Sequence, residues 1–198
     1  MAKKKIEEKS KEITSNSISY KGLVKIEYMH GSNCIKSYTV HNDGTAELFR
    51  FIANALAGNF NKSMRPQFIH TFYCDRDEIR IAEESTSESA RNILWSVERS
   101  TCAYNVPLQT VQVRPAQIST TVNPLEKPYI TEITFMIPYS QIRDTSNIIC
   151  LYNTSAFGSD VKPLAYIILP EDKELTIEGL TNVAITWSMS VSNAAIGG

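Results

Sequence analysis

The sequence predicts an all-β (β-rich) fold, an antiparallel β-sandwich or barrel with one helix at about residues 45–57 packed on it. Two observations lead to this prediction. Many short stretches alternate apolar and polar residues, as strands with one buried face do, and clusters of turn-forming residues separate them. Only one stretch has clear helical spacing. Eight or more strands beside one helix pack as two sheets or close into a barrel.

The first two strands are predicted to form a β-hairpin. Apolar and charged residues alternate in 23–29, and alternation resumes in 35–41. The segment His30-Gly31-Ser32-Asn33 has the composition of a turn. Regular structure is therefore expected to begin near Tyr20 and to run directly into this hairpin.

The helix is predicted over residues 45–57. Asp43 or Thr45 can cap its first turn, where Glu47 also suits the positive end of the helix dipole. Gly58 is a good residue to end it. Its apolar residues fall on one stripe, which is expected to pack on a sheet as part of the core. The residues of this stripe are Leu48, Ile52, Ala55 and Leu56.

The later strands follow from the same period of two. The clearest is 183–192, in which one face carries apolar residues that include Trp187 and the other carries Ala, Ser and Thr. Weaker strands are expected within 93–122, where Pro107 and Pro115 interrupt the pattern. Further strands are predicted at 67–74, 129–137, 147–152 and 164–169.

Two polar segments complete the predicted organisation of the chain. Residues 1–19 are expected to be a flexible N-terminal arm, because five Lys and three Glu among the first twelve residues leave little to bury. A solvated tail and an arm ordered on a neighbouring subunit are both open. Residues 20–198 are predicted as a single β-sandwich domain. Within it, 75–92 is expected to be a polar, exposed excursion, with a short strand possible at 79–82.

Charge and cysteine usage narrow the class of protein. The 198 residues carry 20 Lys and Arg against 21 Asp and Glu, a net charge of -1. The lack of a basic surplus argues against a protein that mainly holds nucleic acid. No secretory signal or membrane-spanning apolar run is recognised. The four cysteines form no CxxC pair and are expected to be free thiols, with Cys74 and Cys150 buried.

The sequence predicts no enzyme. It contains no Gly-rich phosphate loop, no GxSxG, no HExxH and no paired CxxC. The histidines His30, His41 and His70 are not at metal-ligand spacing, and convergence of His41 and His70 with Asp43 on a metal is not expected. No catalytic, cofactor-binding or metal-binding residue is therefore predicted, and no cofactor.

Carboxylate pairs give no catalytic signal either. Glu83-Glu84 and Glu171-Asp172 fall in polar segments, whereas a glycosidase holds its two carboxylates across a rigid cleft. The sequence therefore predicts that these pairs are solvated charges. A hidden hydrolase would instead require a deep pocket with convergent carboxylates.

One segment resembles a known group of proteins. Residues 38–60, with Asn42-Asp43-Gly44-Thr45, then Leu48-Phe49-Arg50-Phe51 and Leu56-Ala57-Gly58-Asn59, precede an Arg65-Pro66 pair. This pattern resembles small structural proteins of short-tailed bacteriophages of gut bacteria, the crAss-like group. The segments 164–169 and 183–193 are similar to the C-terminal hairpin of the same proteins.

The resemblance implies a virion protein that forms a ring in the collar or tail region below the portal. Its implied partners are copies of itself, the portal and other tail or collar proteins, with no membrane and no sequence-specific nucleic acid, although genome DNA would pass through the channel. It implies synthesis in the host bacterial cytoplasm and residence in the virion. A head-to-tail ring needs two complementary patches, for which 1–19 and 75–92 are the expected candidates.

A second interpretation is a virion fibre or appendage that binds a host receptor or glycan. It predicts exposed aromatic residues beside Asn or Asp in the loops 30–33 or 153–160. The ring interpretation and the appendage interpretation both describe a non-enzymatic protein, and they differ in which surface carries the function.

Overall fold

A computed structural model describes residues 17–59, 66–87, 106–107, 110–115, 129–141, 145–153, 162–176 and 181–194. Within these ranges the chain forms antiparallel strands in two sheets, together with two α-helices. The prediction of a β-rich antiparallel fold with a helix packed on it is therefore confirmed.

The strands and helices are numbered in chain order. The strands are β1 (Ser17–His30), β2 (Asn33–Gly44), β3 (Phe68–Phe72), β4 (Val106–Pro107), β5 (Thr110–Pro115), β6 (Tyr129–Ile137), β7 (Ile148–Tyr152), β8 (Ala165–Ile168) and β9 (Asn182–Ala194). The α-helices are α1 (Ala46–Leu56) and α2 (Arg76–Glu84), and single 3-10 turns lie at Tyr139–Gln141 and Glu171–Lys173.

The two sheets are joined through shared chain segments. The strand order is β4-β3-β7-β8-β2-β1-β9-β6-β5, and neighbouring strands pair antiparallel. Strand β2 pairs with β1 along most of its length, but its last residues, Asp43 and Gly44, pair with β8 in the second sheet. Strands β4 and β5 lie at the two ends of the order yet follow each other along the chain. The chain therefore crosses between the sheets at both ends, which gives the sandwich a barrel-like character.

The main core lies between the two sheets. It is built by the apolar positions of the alternating strands, and the fully buried Trp187 of β9 is its largest side chain. The first sheet contributes Val24, Ile26, Tyr28, Ile133, Phe135, Ile137, Val183 and Ile185, and the second contributes Ile69, Ile149, Leu151, Ala165 and Ile167. The period of two thus correctly predicted the hairpin 23–41 and the strands at 129–137 and 183–192.

A second apolar cluster covers the outer face of the second sheet, and helix α2 packs there through Ile79 and Ala82. The prediction of an exposed loop with a short strand at 79–82 is therefore wrong over 76–84. The Asp75 side chain accepts a hydrogen bond from the Asp77 N–H, 2.9 Å away, and caps the helix. Ile79 and Ala82 are three residues apart and share a helix face, so the apolar outer face of the sheet stabilises a helix here. Residues 88–92 lie outside the described ranges.

Helix α1 confirms the predicted helix, but its packing differs from the prediction. Thr45 occupies the N-cap position without capping the helix, because its hydroxyl donates to the Pro163 carbonyl oxygen at 2.6 Å. Leu48 is the helix's only fully buried residue, and Ile52 is half-buried. The expectation that the whole apolar stripe forms core is wrong for Ala55 and Leu56, which are exposed.

A buried asparagine joins the ends of three strands. Asn147 is fully buried and precedes β7. Its side-chain amide donates to the Cys74 carbonyl oxygen at 2.7 Å, and its side-chain oxygen accepts from the Cys74 N–H at 2.9 Å. Its backbone N–H donates to the Phe72 carbonyl oxygen, and its carbonyl accepts from the Leu169 N–H. Asn147 therefore links the chain after β3 and the chain after β8 to the start of β7.

The predicted arm is described only at its end. Strand β1 begins at Ser17, which pairs with Ala194 of β9, so regular structure starts three residues before Tyr20. Residues 1–16 lie outside the described ranges, as does most of the predicted strand region 93–122. The prolines that were expected to interrupt that region, Pro107 and Pro115, are the last residues of β4 and β5.

Candidate interaction surfaces

The buried polar residues of the second sheet form a packed cluster. His70 lies directly across from Cys150, and its ring meets the Tyr152 ring edge-on with the centroids 6.2 Å apart. All three residues are buried. Burial raises the pKa of the Cys150 thiol and of the Tyr152 hydroxyl, so both stay protonated near neutral pH. Since the thiolate is the nucleophilic form of cysteine, Cys150 is unsuited to attack a substrate.

The sequence-predicted histidines and carboxylates are spread over the fold. His30 and His41 are exposed on the β1–β2 hairpin, whereas His70 is buried on β3. Among the described residues no group of three or more His, Cys, Asp or Glu is placed to hold a metal ion. The pairs Glu83-Glu84 and Glu171-Asp172 are exposed, as predicted for solvated charges. Neither described helix is long and apolar enough to cross a bilayer.

Thiol labelling of the native protein tests this burial. We expect Cys34, which is exposed, to react with a maleimide or Ellman's reagent at least tenfold faster than Cys74 and Cys150, which are buried. Peptide mapping by mass spectrometry assigns each modified residue, and denatured protein serves as the control in which all of them react. Modification of native Cys150 as fast as Cys34 would contradict the buried placement.

Helix α1 presents apolar side chains to solvent. Phe49, Ala53 and Leu56 share one helix face by their spacing, and we call them the α1 surface. Leu56 is 75% exposed and Phe49 is 49% exposed. Beside them Arg50 and Glu47 form an ion pair at 2.5 Å, so the flank of the helix carries no net charge. Contiguous exposed apolar surface is the kind of surface that protein–protein contacts cover.

Beyond its pairing with β8, one side of β2 has no partner among the described strands. In an antiparallel ladder, the backbone groups of successive residues point to opposite sides of the strand. The Thr45 N–H donates to the Leu164 carbonyl oxygen at 3.0 Å, and Asp43 pairs with Tyr166 of β8. The odd-numbered residues at this end of β2 therefore point their N–H and C=O groups away from β1.

The same side of the strand continues past the last pair with β8. The register between β1 and β2 has no shift over residues 36–42 of β2, so the odd-numbered residues there keep this orientation. Their side chains are exposed, and among the described strands only β1 pairs with β2 at these positions. These residues, which we call the β2 edge, are Ser37, Thr39 and His41.

Side chains on the core-facing side of the hairpin fasten the β2 edge to a distant part of the chain. Tyr38 donates its hydroxyl to the Lys173 carbonyl oxygen at 2.6 Å, and the Tyr28 hydroxyl accepts from the Thr176 N–H at 3.4 Å. The two tyrosine rings are 6.4 Å apart between centroids. These contacts fasten the hairpin to the chain at 173–176, so the edge strand is held in an extended conformation.

The surface beside the β2 edge is electrically balanced. Lys25 and Glu27 of β1 lie across from Thr39 and Ser37 and form an ion pair at 2.7 Å. The hydrogen bond to Glu27 raises the pKa of Lys25 above its ordinary value, which already leaves the ammonium charged at neutral pH. The two charged residues directly across from Ser37 and Thr39 therefore neutralise each other.

A β-bulge limits the other end of the edge. The register shifts between Tyr28 and Met29, and Ile35 is the extra residue on β2. Ile35 is 56% exposed. The regular part of the edge thus extends over residues 37–41, between this bulge and the pairing with β8.

Comparison of the chain with protein-family models, with curated proteins and with solved structures gives no match in any of the three. No relative therefore supplies a function. The segment 38–60, on which the resemblance to phage structural proteins depends, includes most of the β2 edge and the α1 surface.

The expected contact segments and these surfaces differ. The arm 1–19 is described only from Ser17, and the first part of 75–92 packs on the chain's own second sheet through α2. For the appendage interpretation, Tyr28 is the aromatic residue nearest to the turn 30–33 and is buried, while 154–160 lies outside the described ranges. The sequence of 35–41 does not reveal the β2 edge, because alternation alone does not distinguish an edge strand from a central one.

Proposed function

We propose that the chain is a non-enzymatic virion structural protein of a short-tailed bacteriophage that assembles as a ring in the collar or tail region below the portal. The observation that supports it is the α1 surface, which leaves Leu56 75% exposed on a single copy. Burying such a side chain contributes about 1.5–3 kcal/mol, so contact with another protein surface is favourable. The same helix carries the resemblance to phage structural proteins.

Ring formation requires each copy to present two different surfaces that complement each other. The α1 surface is apolar and the β2 edge offers backbone hydrogen-bonding groups, so each would contact a different surface of a neighbouring copy. Two surfaces of such different chemistry suit head-to-tail contacts better than a twofold dimer, in which one patch must complement itself. The proposed partners are copies of the chain, with the portal and other tail or collar proteins above and below.

Substitution of Leu56 tests the proposal. We expect the purified chain to form closed particles of one size by mass photometry and negative-stain microscopy, and Leu56→Asp to weaken self-association at least about tenfold, the equivalent of 1.4 kcal/mol. Because Leu56 is largely exposed, the fold should be unaffected by circular dichroism. Ile81→Asp is the matched control: Ile81 is 58% exposed on α2, and its replacement should leave assembly unchanged.

A chain that stays monomeric at high concentration, also after addition of neighbouring virion proteins, would overturn the ring. Equal effects of Leu56→Asp and Ile81→Asp would show that the α1 surface has no special part in assembly.

A further inference from the structure

We propose that the β2 edge binds the N-terminal arm of a second copy as an added β-strand. This inference rests on the proposed self-assembly, since it needs a second copy, and it identifies the contact that would join neighbouring subunits. An added strand is a recognised mode of protein association, in which backbone hydrogen bonds supply affinity and side-chain pockets supply selectivity.

The backbone of the β2 edge has no partner on its outer side among the described strands. Ser37, Thr39 and His41 each direct one N–H and one C=O away from β1, and no other described strand pairs with them. An exposed strand edge of this kind is a template on which another strand can pair. Proteins usually block such edges with short strands, prolines or covering elements. The segment 37–41 contains no proline.

The β2 edge is already extended before any strand is added. The hydroxyl of Tyr38 is bound to the Lys173 carbonyl oxygen, and β1 pairs with the whole segment 36–42. An incoming strand would therefore meet a backbone that is already extended, so little ordering on the receiving side opposes binding. Between the bulge at Ile35 and the pairing of Asp43 with β8, residues 37–41 have no partner on this side among the described strands, which matches the length of an added strand of about five residues.

The N-terminal arm has the length and the composition to occupy the edge. Sixteen residues precede Ser17, and at about 3.3 Å per extended residue they could reach roughly 50 Å from the start of β1. Their end nearest the fold, 13–16, is Ile-Thr-Ser-Asn. It carries no charge and includes two β-branched residues, which favour strands. A neutral strand suits an edge whose neighbouring charges, Lys25 and Glu27, are paired with each other.

The arm of a second copy is a better occupant of the β2 edge than the arm of the same chain. Ser17 starts β1 five residues before Gly22, which pairs with Asn42 near the end of β2. At that end, Asp43 and Gly44 pair with β8 and helix α1 follows. The chain's own arm would have to turn back around these elements to reach residues 37–41.

The arrangement also provides the two unlike surfaces that a ring requires. Each copy would donate an arm through one end of β1 and receive an arm at the β2 edge. Because donor and acceptor surfaces differ, contacts repeat head to tail and can close into a ring.

Proline substitution separates strand addition from folding. Thr39 directs its N–H away from β1, so Thr39→Pro removes an outward donor while the pairing with β1 remains, as edge prolines allow. In the full-length protein we expect Thr39→Pro to weaken self-association at least tenfold with little change in Tm. Hydrogen exchange by mass spectrometry should show the Ser37, Thr39 and His41 amides protected in assembled wild type. Thr39→Val, the matched control, keeps the N–H and should behave as wild type.

Disulfide trapping identifies the occupant. In a Cys34→Ser background, tagged chains with cysteine in place of one residue of 11–15 are mixed with untagged chains carrying Thr39→Cys. We expect a disulfide between tagged and untagged copies for at least one arm position. The absence of a disulfide between copies at every arm position would overturn the proposal. Chains that carry both cysteines serve as a further check, and disulfides found only within one copy of such a chain would also overturn it.

The outcomes distinguish this inference from the ring itself. Closed particles in which residues 37–41 exchange freely and no disulfide forms between copies would overturn strand addition and leave the ring proposal standing. A disulfide between copies in samples that form no closed particle would support strand addition and count against the ring.

Discussion

Asn147→Ala is expected to lower the free energy of unfolding by about 2–5 kcal/mol. The fully buried Asn147 side chain bonds both the N–H and the C=O of Cys74, at 2.9 and 2.7 Å. Alanine would leave these two buried backbone groups without that partner, and each unsatisfied group costs about 1–3 kcal/mol. Urea unfolding followed by circular dichroism measures the loss.

A second asparagine provides the control for this experiment. The Asn182 side-chain oxygen also accepts a hydrogen bond from a backbone N–H, that of Tyr139 at 3.1 Å, but in an exposed position. Water can replace this bond, so Asn182→Ala is expected to lower the free energy of unfolding by less than about 1 kcal/mol. Equal losses for Asn147→Ala and Asn182→Ala would contradict the structural role assigned to Asn147.

Gly22→Ala is expected to lower the free energy of unfolding by about 1–3 kcal/mol. A Cβ atom added at Gly22 would lie 1.6 Å from the Oδ1 atom of Asn42. Asn42 pairs directly across from Gly22 and is only 7% exposed, so its side chain has little room to move. Gly22 is therefore required for space between β1 and β2. Thermal and urea unfolding of the variant measure the effect.

A double-mutant cycle checks that the clash is the cause. Asn42→Ala removes the atoms that the new Cβ would meet, so Gly22→Ala should be much less destabilising in the Asn42→Ala background. We expect a coupling free energy of about 1–3 kcal/mol between the two positions, within the range for contacting residues. Additive effects would show that the loss arises from the backbone of β1 instead.

The strands were predictable because their signal is local. Successive side chains of a strand point to opposite faces of the sheet. Alternation in 23–29, 35–41 and 183–192 therefore indicates which residues face the core. The helix at 45–57 was predictable for the same reason, from its spacing and the glycine that follows it. These predictions need no knowledge of the partner strands.

Helix α2 was not predictable in this way. The segment 75–92 is polar, and its helix buries only Ile79 and Ala82. That burial requires the apolar outer face of the second sheet, to which residues as distant as Ile148 and Tyr152 contribute. Tertiary contact therefore outweighed the polar composition of the segment.

The candidate surfaces were only partly predictable. The residues of the α1 surface lie in the helix that the sequence predicts, but the apolar stripe was expected to be covered, and Leu56 is exposed. The β2 edge lies in a correctly predicted hairpin. It lacks a second described partner strand because β8 pairs only with Asp43 and Gly44 of β2.

The sequence by itself thus determined the secondary structure of most strands and of helix α1, and which strand residues face inward. Only the tertiary structure decided which apolar faces are covered, where a sheet ends, and that Asn147 bonds Cys74 across 73 residues of sequence. The physical reason is that the direction of a strand side chain depends on the local backbone. Whether an apolar surface is buried depends instead on which distant segments pack against it.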